Sequence, residues 1–267
     1  MDTVLVTGAN GHLGRKVLDL LKGKYRIRAM ARRPPGAERD VEWVAGDLAT
    51  GGGIREAMTG ANLVVHAATL SPAAQRGYPR PGDFRHSPTD VDVEGTQRLL
   101  DEAERVGIEH FLHVSVVGAA HPRRGYLGVK HLAEDAVRAA GTPWSILRAT
   151  PFHWLVDRML TRAARLPALP VPADLPVQPA DHADFAQYLV DCLGEGPGRQ
   201  RQDFGGPDIL RLGELVRQWS EVRRRSLRLV GLPTPARLSA AAADFTCPNG
   251  RLGTTSWSAW LRTAPTG

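Results

Sequence analysis

The feature that most constrains the fold is a glycine-rich stretch near the start of the chain, TVLVTGANGHLGRKVLDLL over residues 3–21. A short apolar run precedes Gly8 and is long enough for a buried parallel strand. After Gly14, leucine and valine recur at the spacing of a helix. A strand that enters a helix through glycines places backbone N–H groups where a phosphate can bind. The alternative interpretation is an ordinary strand–loop–helix unit without a ligand.

Each of the three glycines has its own role in such a turn. Gly8 permits the tight turn, Gly11 lets the backbone approach a phosphate, and Gly14 lets the helix pack closely on the strand. The spacing is GxxGxxG, which differs from the GxGxxG of the most common dinucleotide fingerprint. The stretch therefore predicts a dinucleotide site on the basis of its strand and helix context as well as its glycines.

Strand-like and helix-like segments alternate along the first half of the chain. This order predicts an α/β fold with a Rossmann-type, doubly wound parallel sheet. We place that domain at residues 1–151, and we predict that residues 152–267 form a small C-terminal lobe that packs with it as one unit and contributes the substrate pocket. The predicted strands cover residues 4–6, 25–31, 41–44, 62–66, 111–117 and 144–147, and the main predicted helices cover 13–21, 90–106, 124–140, 152–166, 182–193 and 212–222.

The end of the second predicted strand indicates which dinucleotide the turn would bind. A protein selective for NAD usually has an acidic residue here that holds the ribose 2′-hydroxyl, whereas an arginine accommodates the 2′-phosphate of NADP. Arg32 and Arg33 occupy this position, and the first acidic residue is Glu38, beyond two prolines. A guanidinium can bind a phosphate through two hydrogen bonds and can stack on adenine. We therefore predict NADP(H); the alternative is a pair of exposed loop arginines.

Small and acidic residues follow the third and fourth predicted strands. The Asp47 carboxylate lies where it could accept a hydrogen bond from the adenine amino group, although a simple turn aspartate is also consistent with the pattern. Residues 67–69, Ala-Ala-Thr, are small enough for the backbone to run close beneath a cofactor. The irregular stretch 71–88 has the length of an active-site cover or a disordered loop.

A tyrosine and a lysine four residues apart follow the fifth predicted strand. Tyr126 and Lys130 would stand on one face of a helix, and an ammonium beside a phenol favours the phenolate, so the pair forms a tunable acid/base. The hydroxyl of Ser115, at the end of the strand, could bind a substrate carbonyl beside the tyrosine. The alternative is an exposed tyrosine with a solvated lysine.

These motifs carry a family resemblance. TGANGHLG, GDL, VVHAAT, DVEGTQRLLDEAERVGIEHFLHVSVVG and YLGVK resemble the short-chain dehydrogenase/reductase superfamily, and LRATPFHWLV resembles its atypical, NmrA-like NAD(P)H-binding branch. The resemblance implies a catalytic Ser–Tyr–Lys set at Ser115, Tyr126 and Lys130, with the lysine also holding the nicotinamide ribose. Asp92, in DVEGT, replaces an asparagine that extended relatives often carry. Together, the motifs and the resemblance predict cofactor contacts at Thr7, Gly8, Asn10, Gly11, His12, Leu13, Gly14, Arg32, Arg33, Asp47, Leu48, Ala67, Ala68, Thr69, Lys130, Pro151 and Phe152.

Composition excludes several other classes of protein. The net charge of +6 comes from arginines spread along the chain rather than from a basic and aromatic stripe, so we predict no nucleic-acid partner. No apolar run approaches the length of a membrane span, and no signal-peptide pattern opens the sequence, so we expect a cytoplasmic protein without a membrane partner. The two cysteines lack CxxC spacing, and His110 and His113 have no acidic or cysteine neighbour at ligand spacing, so we predict no metal.

The sequence thus predicts an NADPH-dependent oxidoreductase that reduces a carbonyl, or a related group, of a small organic substrate, with Tyr126 as the general acid. Two alternatives stay open. The chain could be a non-catalytic NADP(H)-binding regulator of the NmrA type, or it could use the bound cofactor for an isomerase or dehydratase reaction. The sequence leaves the oligomeric state open between a monomer and a homodimer.

Overall fold

The fold centres on an eight-stranded sheet. The computed structural model describes residues 1–121, 124–230 and 245–265. The strands of the sheet are β1 (Thr3–Thr7), β2 (Arg26–Ala31), β3 (Val41–Ala45), β4 (Leu63–His66), β5 (His110–Val116), β6 (Trp144–Ala149), β9 (Arg201–Gly205) and β12 (Arg251–Leu252). Their order is β12–β9–β6–β5–β4–β1–β2–β3, and all neighbours in it run parallel. This confirms the predicted doubly wound, Rossmann-type α/β fold.

Helices cover both faces of the sheet. In the described part of the chain they are α1 (His12–Leu21), α2 (Ile54–Met58), α3 (Pro72–Arg76), α4 (Gly95–Val106), α5 (Gly125–Ala139), α6 (His153–Ala163), α7 (His182–Glu195), α8 (Leu212–Arg223) and α9 (Trp257–Thr263). Val4 and Val6 of β1 pack with α1 and α7, whereas Leu5 packs with α2 and α4. A strand buried on both faces is apolar throughout, which explains the continuous run that the sequence shows. None of these helices combines the length and apolar character needed to cross a membrane.

The sheet has its switch point between β1 and β4. Val4 pairs with Ile27 of β2 on one side and with Leu63 of β4 on the other. The chain therefore builds outward through β2 and β3 and then crosses back to β4. At such a point the connections leave in opposite directions, and a crevice opens beyond the carboxyl ends of the two strands. The glycine turn after β1 and the small residues after β4 both border this crevice.

Two predicted segments contain structure that their sequences did not specify. The irregular stretch 71–88 includes α3, which Ser71 caps by accepting a hydrogen bond from the Ala74 N–H at 3.3 Å, and a 3₁₀ turn over Pro81–Phe84. The predicted helix over 90–106 begins as a π-helical turn, Asp90–Glu94, before α4 starts. The prediction that Asp181 caps α7 is confirmed, because its carboxylate accepts from the Ala183 N–H at 2.6 Å.

Residues after 151 extend the sheet and also form a separate cluster. The strands β9 and β12 lie beyond β6 at the sheet edge. Two small sheets join β7 (Leu169–Pro170) with β11 (Leu229–Val230) and β8 (Pro176–Val177) with β10 (Leu210–Arg211). A hydrophobic cluster around Trp219 and Trp257 joins α6, α8 and α9. The parts of the predicted lobe at 231–244 and 266–267 lie outside the described residues.

The close packing of α1 on the glycine turn gives a stability prediction. A Cβ at Gly14 would lie 2.3 Å from the Gly8 carbonyl oxygen, a contact that the backbone must move to relieve. We expect Gly14→Ala to lower the free energy of unfolding by about 1–3 kcal/mol, although alanine favours a helix interior over glycine by about 1 kcal/mol. Denaturant unfolding measures the difference. Gly82→Ala is the control, because a Cβ there meets nothing within 4 Å; equal stability of the two variants would contradict the packing role of Gly14.

Candidate functional site

The glycine turn is closed toward β4 and open in front of α1. Gly8 has a φ of +68°, and a Cβ there would lie 2.7 Å from the Ala67 carbonyl carbon. A Cβ at Gly11 would meet only the Gly8 carbonyl oxygen, at 3.2 Å. The first turn of a helix has N–H groups without intrahelical partners, and no described side chain caps α1. The opening therefore fits an anionic group such as a pyrophosphate.

The loop after β2 and the helix α6 both contact residues that border this opening. The Asn10 amide donates to the Arg33 carbonyl at 3.0 Å, and its Oδ1 accepts from Arg15 at 2.9 Å. The His12 ring stacks on Trp154 of α6 with ring centroids 4.1 Å apart. Burial is the main cause that lowers the pKa of His12, so this ring is neutral at pH 7. Asn10 and His12 thus join the predicted site, while Leu13 and Gly14 face the core behind it.

The end of β2 presents two cations. Arg32 and Arg33 are exposed, and neither has a partner among the described side chains. Glu38, the nearest acidic residue in sequence, accepts hydrogen bonds from Arg15 at 2.9 Å and from Lys22 at 3.1 Å. The Lys22 hydrogen bond is the largest of the causes that lower the pKa of Glu38. The carboxylate is therefore already paired, whereas the two arginines are available to an anion.

Asp47 and Leu48 follow β3 in a tight turn. One Asp47 oxygen accepts from the Ala49 N–H at 3.0 Å. Leu48 is buried, and a Cβ at Gly95 would lie 2.8 Å from its side chain. Asp47 thus makes the local bond expected of a simple turn aspartate. Its contact with adenine stays a prediction.

Tyr126 lies at the carboxyl edge of the sheet within a network of polar groups. Its hydroxyl is 3.0 Å from the Thr69 hydroxyl, which in turn donates to the Asp92 carboxylate at 2.7 Å. The second Asp92 oxygen accepts from the Leu70 N–H at 2.7 Å. Lys130 donates to Asp92 at 3.3 Å and is 1 % exposed at its side chain, while that of Asp92 is fully buried. Thr69 is exposed and Tyr126 is half-buried, so the network runs from the crevice inward.

The charge around Tyr126 differs from the sequence expectation. Burial and then the Asp92 carboxylate raise the pKa of Tyr126, whereas the sequence had predicted that Lys130 would lower it. The Lys130 ammonium is held by Asp92 and by the Val114 carbonyl, to which it donates at 3.0 Å. A lysine whose charge is balanced by a carboxylate has little effect on a nearby phenol. Tyr126 is therefore protonated at neutral pH in this arrangement.

The structure does not bring Ser115 to Tyr126. Ser115 is 1 % exposed and donates to Glu134 at 2.6 Å. Glu134 in turn pairs with Arg148 through two hydrogen bonds of 2.8 and 2.5 Å. Glu134 lies two turns along α5 from Tyr126. The Ser115 hydroxyl is therefore bonded to a part of the helix that is distant from the tyrosine. Thr69, which the sequence assigned to the cofactor, supplies the hydroxyl beside the tyrosine.

A buried histidine links β1 to this network. The Thr7 hydroxyl lies 2.7 Å from His66 Nδ1, and His66 Nε2 lies 2.8 Å from the Thr96 hydroxyl. Thr96 donates to the Asp92 carbonyl at 2.6 Å. Burial lowers the pKa of His66 to about 3, so its ring is neutral. The Thr7 side chain therefore faces the core, and only its backbone borders the predicted site.

Pro151 and Phe152 end β6 beside the crevice. Pro151 is exposed, and Phe152 packs against Phe185 with ring centroids 5.7 Å apart. The backbone of this loop is fixed by a bridge between Phe152 and Ala180. Their contact with the cofactor stays a prediction.

Sequence reasoning did not give Asp92 a role in the site. Its one signal was the substitution in DVEGT, where relatives often carry asparagine. Within the described ranges, no group of three or more histidine, cysteine or acidic side chains is arranged to hold a metal ion.

Comparison with known proteins identifies the family of the chain. The family described as NAD(P)H-binding matches residues 8–195. The chain is 30% identical over 254 residues to a ceramide reductase of Caulobacter vibrioides. The alignment covers 90% of this chain and 76% of that protein. It is 27% identical over 255 residues to a (4-alkanoyl-5-oxo-2,5-dihydrofuran-3-yl)methyl phosphate reductase of Streptomyces griseus, covering 92% and 82% of the two chains.

Solved structures share the fold. A short-chain dehydrogenase/reductase superfamily protein of Agrobacterium tumefaciens with bound NAD superposes with a TM-score of 0.68 and 18% identity, over 97% of this chain and 94% of the other. At this identity the similarity concerns the arrangement of strands and helices.

The open side of the glycine turn gives a binding prediction. We expect Gly11→Val to abolish binding of NADPH and NADH alike, because the side chain fills the space in front of the α1 N–H groups. The protein should remain folded, since the only close contact is 3.2 Å from one carbonyl oxygen. Calorimetric titration measures the affinity, and circular dichroism checks the fold. Nucleotide binding retained by a folded Gly11→Val protein would place the phosphates elsewhere.

Proposed function

The chain belongs to the NAD(P)H-binding family, in the NmrA-like branch of the atypical short-chain dehydrogenases/reductases, and from this premise we propose that it is an NADPH-dependent carbonyl reductase. The observation that carries the proposal is the Tyr126 hydroxyl, held at the carboxyl edge of the sheet beside Thr69 and on the same side of the crevice as Ala67 and Ala68. Two relatives that span most of the chain are named reductases, which supports an oxidoreductase.

The residues around the crevice fit a dinucleotide. We assign the pyrophosphate to the open turn at Gly11, where backbone N–H groups face an unfilled space. We assign the 2′-phosphate to Arg32 and Arg33, because they are exposed and unpaired among the described residues while Glu38 is neutralised by its own partners. Residues 67–69 and Tyr126 would then be the part of the chain that holds the nicotinamide end.

The chemistry that we propose is a proton transfer from this chain combined with a hydride transfer. Bound NADPH supplies the hydride. Tyr126 donates its hydroxyl proton to the carbonyl oxygen of the substrate, so that the developing alkoxide is neutralised as it forms. Its raised pKa keeps this proton in place at neutral pH. Lys130 balances the Asp92 carboxylate and makes two hydrogen bonds to described residues, and we assign its third N–H donor to a ribose hydroxyl.

The substrate that we propose is a small organic molecule with a carbonyl. We assign its pocket to the crevice beyond β5 and β6 and to the adjoining lobe over residues 152–267, whose α6 already reaches the glycine turn through Trp154. Both α3 and α6 border this region, and Arg158 of α6 donates to the Gln75 carbonyl of α3 at 2.6 Å. The stretch 71–88 is thus attached to α6 and can form one wall of the pocket.

The arginines at the end of β2 give a prediction of cofactor preference. We expect the double variant Arg32→Ala, Arg33→Ala to weaken NADPH binding by about 1.5–3 kcal/mol, the size of one or two charge-assisted contacts, and to leave NADH binding unchanged. Calorimetric titration with both nucleotides measures this. Arg39→Ala is the matched control, because Arg39 is a neighbouring exposed arginine, 95% exposed at its side chain. A preference that survives the double variant would remove the arginines from the 2′-phosphate site.

The tyrosine gives the prediction that tests catalysis. Tyr126→Phe removes one hydroxyl and keeps the ring, so turnover should fall by about 10²–10⁴-fold with NADPH affinity nearly unchanged. A screen of carbonyl compounds for NADPH oxidation identifies the substrate for this assay. Tyr25→Phe is the matched control, because Tyr25 packs against α1 far from the crevice. A Tyr126→Phe enzyme as fast as the parent would remove the tyrosine from the mechanism. Tight NADPH binding without reduction of any carbonyl would favour the alternative, a non-catalytic NADP(H)-binding regulator.

A further inference from the structure

The hydrogen bonds around Tyr126 have a fixed direction. Asp92 accepts from Leu70 and Lys130, whose groups can only donate, so its carboxylate is ionised and acts as an acceptor for Thr69. Thr69 has a single hydroxyl proton, and that proton is directed to Asp92 at 2.7 Å. The contact of 3.0 Å between Thr69 and Tyr126 must then use the tyrosine proton, so Tyr126 donates to Thr69.

We propose that Thr69, and not Ser115, is the hydroxyl partner of Tyr126 in the reaction, and that Asp92 positions Thr69 and Lys130. This inference rests on the proposed reductase function, which it extends. Thr69 is exposed to the crevice and touches the reacting oxygen, whereas Asp92 is buried and acts only through its neighbours. Ser115 is excluded by its bond to Glu134, since Glu134 is itself ionised and paired with Arg148.

The arrangement prepares Tyr126 as an acid. The Asp92 carboxylate nearby favours the neutral phenol. When the substrate oxygen takes the proton, the O–H bond of Tyr126 breaks and a new O–H bond forms on the substrate, leaving a phenolate. The Thr69 hydroxyl can then rotate from Asp92 to the phenolate oxygen, because it lies within hydrogen-bonding distance of both groups. Lys130 continues to balance the carboxylate that Thr69 leaves.

The other groups that face this site do not supply a competing charge. On β4 and β5, His66 and His113 lie beneath Lys130; burial lowers the pKa of His66 to about 3 and that of His113 well below its ordinary value, so both are neutral. In the 3₁₀ turn packed against α5, Asp83 is paired with Arg76. Among the described residues, the Asp92 carboxylate is therefore the charge that acts on Tyr126.

The test follows the ionisation of Tyr126 without any substrate. The chain carries four tyrosines, and growth on ring-fluorinated tyrosine, whose phenol is more acidic, brings their titration into an accessible range of pH. The fluorine resonance that Tyr126→Phe removes belongs to Tyr126. We expect Asp92→Asn to lower its titration midpoint by about one pH unit or more, because a like charge is lost. We expect Thr69→Val to raise it by roughly 0.5–1 unit, because the phenolate loses the hydroxyl that donates to it, whereas the neutral phenol loses only a weaker, uncharged bond, and Thr69→Ser to restore it.

Ser115→Ala is the competing variant, and we expect it to leave the Tyr126 midpoint in place. A midpoint that moves with Ser115→Ala, or that falls or stays constant with Thr69→Val, would overturn the assignment. Thr69→Val replaces an exposed side chain of similar shape and should fold even if Asp92→Asn, which leaves a buried ammonium unpaired, does not.

Kinetics provide the second measurement. With a carbonyl substrate from the screen, Thr69→Val should lower kcat about tenfold, the effect of one lost hydrogen bond, with little change in KM, and Thr69→Ser should recover it. An unchanged kcat in Thr69→Val would overturn the role of Thr69. A protein that shows the expected midpoints but reduces no carbonyl would contradict the proposed function while leaving the network intact.

Discussion

The site depends on one buried carboxylate. Asp92 accepts hydrogen bonds from Thr69 and Leu70, which follow β4, and from Lys130 of α5. Its own carbonyl accepts from Thr96, which continues through His66 to β1. One residue in a π-helical turn thus connects two strands, β1 and β4, with two helices, α4 and α5, around the crevice. Because every lone pair of a buried carboxylate must be satisfied, this arrangement has few alternative geometries.

Two buried ion pairs lie along α5, with different consequences. Lys130 with Asp92 and Glu134 with Arg148 are both nearly inaccessible to solvent. Loss of one partner from such a pair costs about 3–5 kcal/mol, because the other charge stays buried. The first pair balances the charge next to Tyr126, so the phenol keeps its proton. The second pair binds Ser115 and connects α5 to β6, so it belongs to the core beneath the site.

Much of the fold was predictable because it depends on local patterns. The glycine spacing, the apolar run of β1 and the helical periodicity that follows predicted the turn and the first βα unit. The alternation of segments then predicted the parallel sheet, and this is confirmed. The edge strands β9 and β12 were not predicted, because β9 reads RQDFG and β12 has two residues. The position of β9 depends on pairing with β6, and that of β12 on pairing with β9, over long separations in sequence rather than on local pattern.

The sequence by itself determined the glycine turn, the pair Tyr126 and Lys130 on one helix, and the absence of an early carboxylate after β2. Each follows from a spacing of a few residues. Only the tertiary structure decided which hydroxyl meets Tyr126 and which charge balances Lys130, because Thr69 and Asp92 reach α5 from segments 57 and 38 residues away. The sequence placed Ser115 at the end of β5, before the helix that carries Tyr126, but it could not state the level along α5 that the serine reaches. That level is set by the register of β5 against α5, and it places the serine beside Glu134.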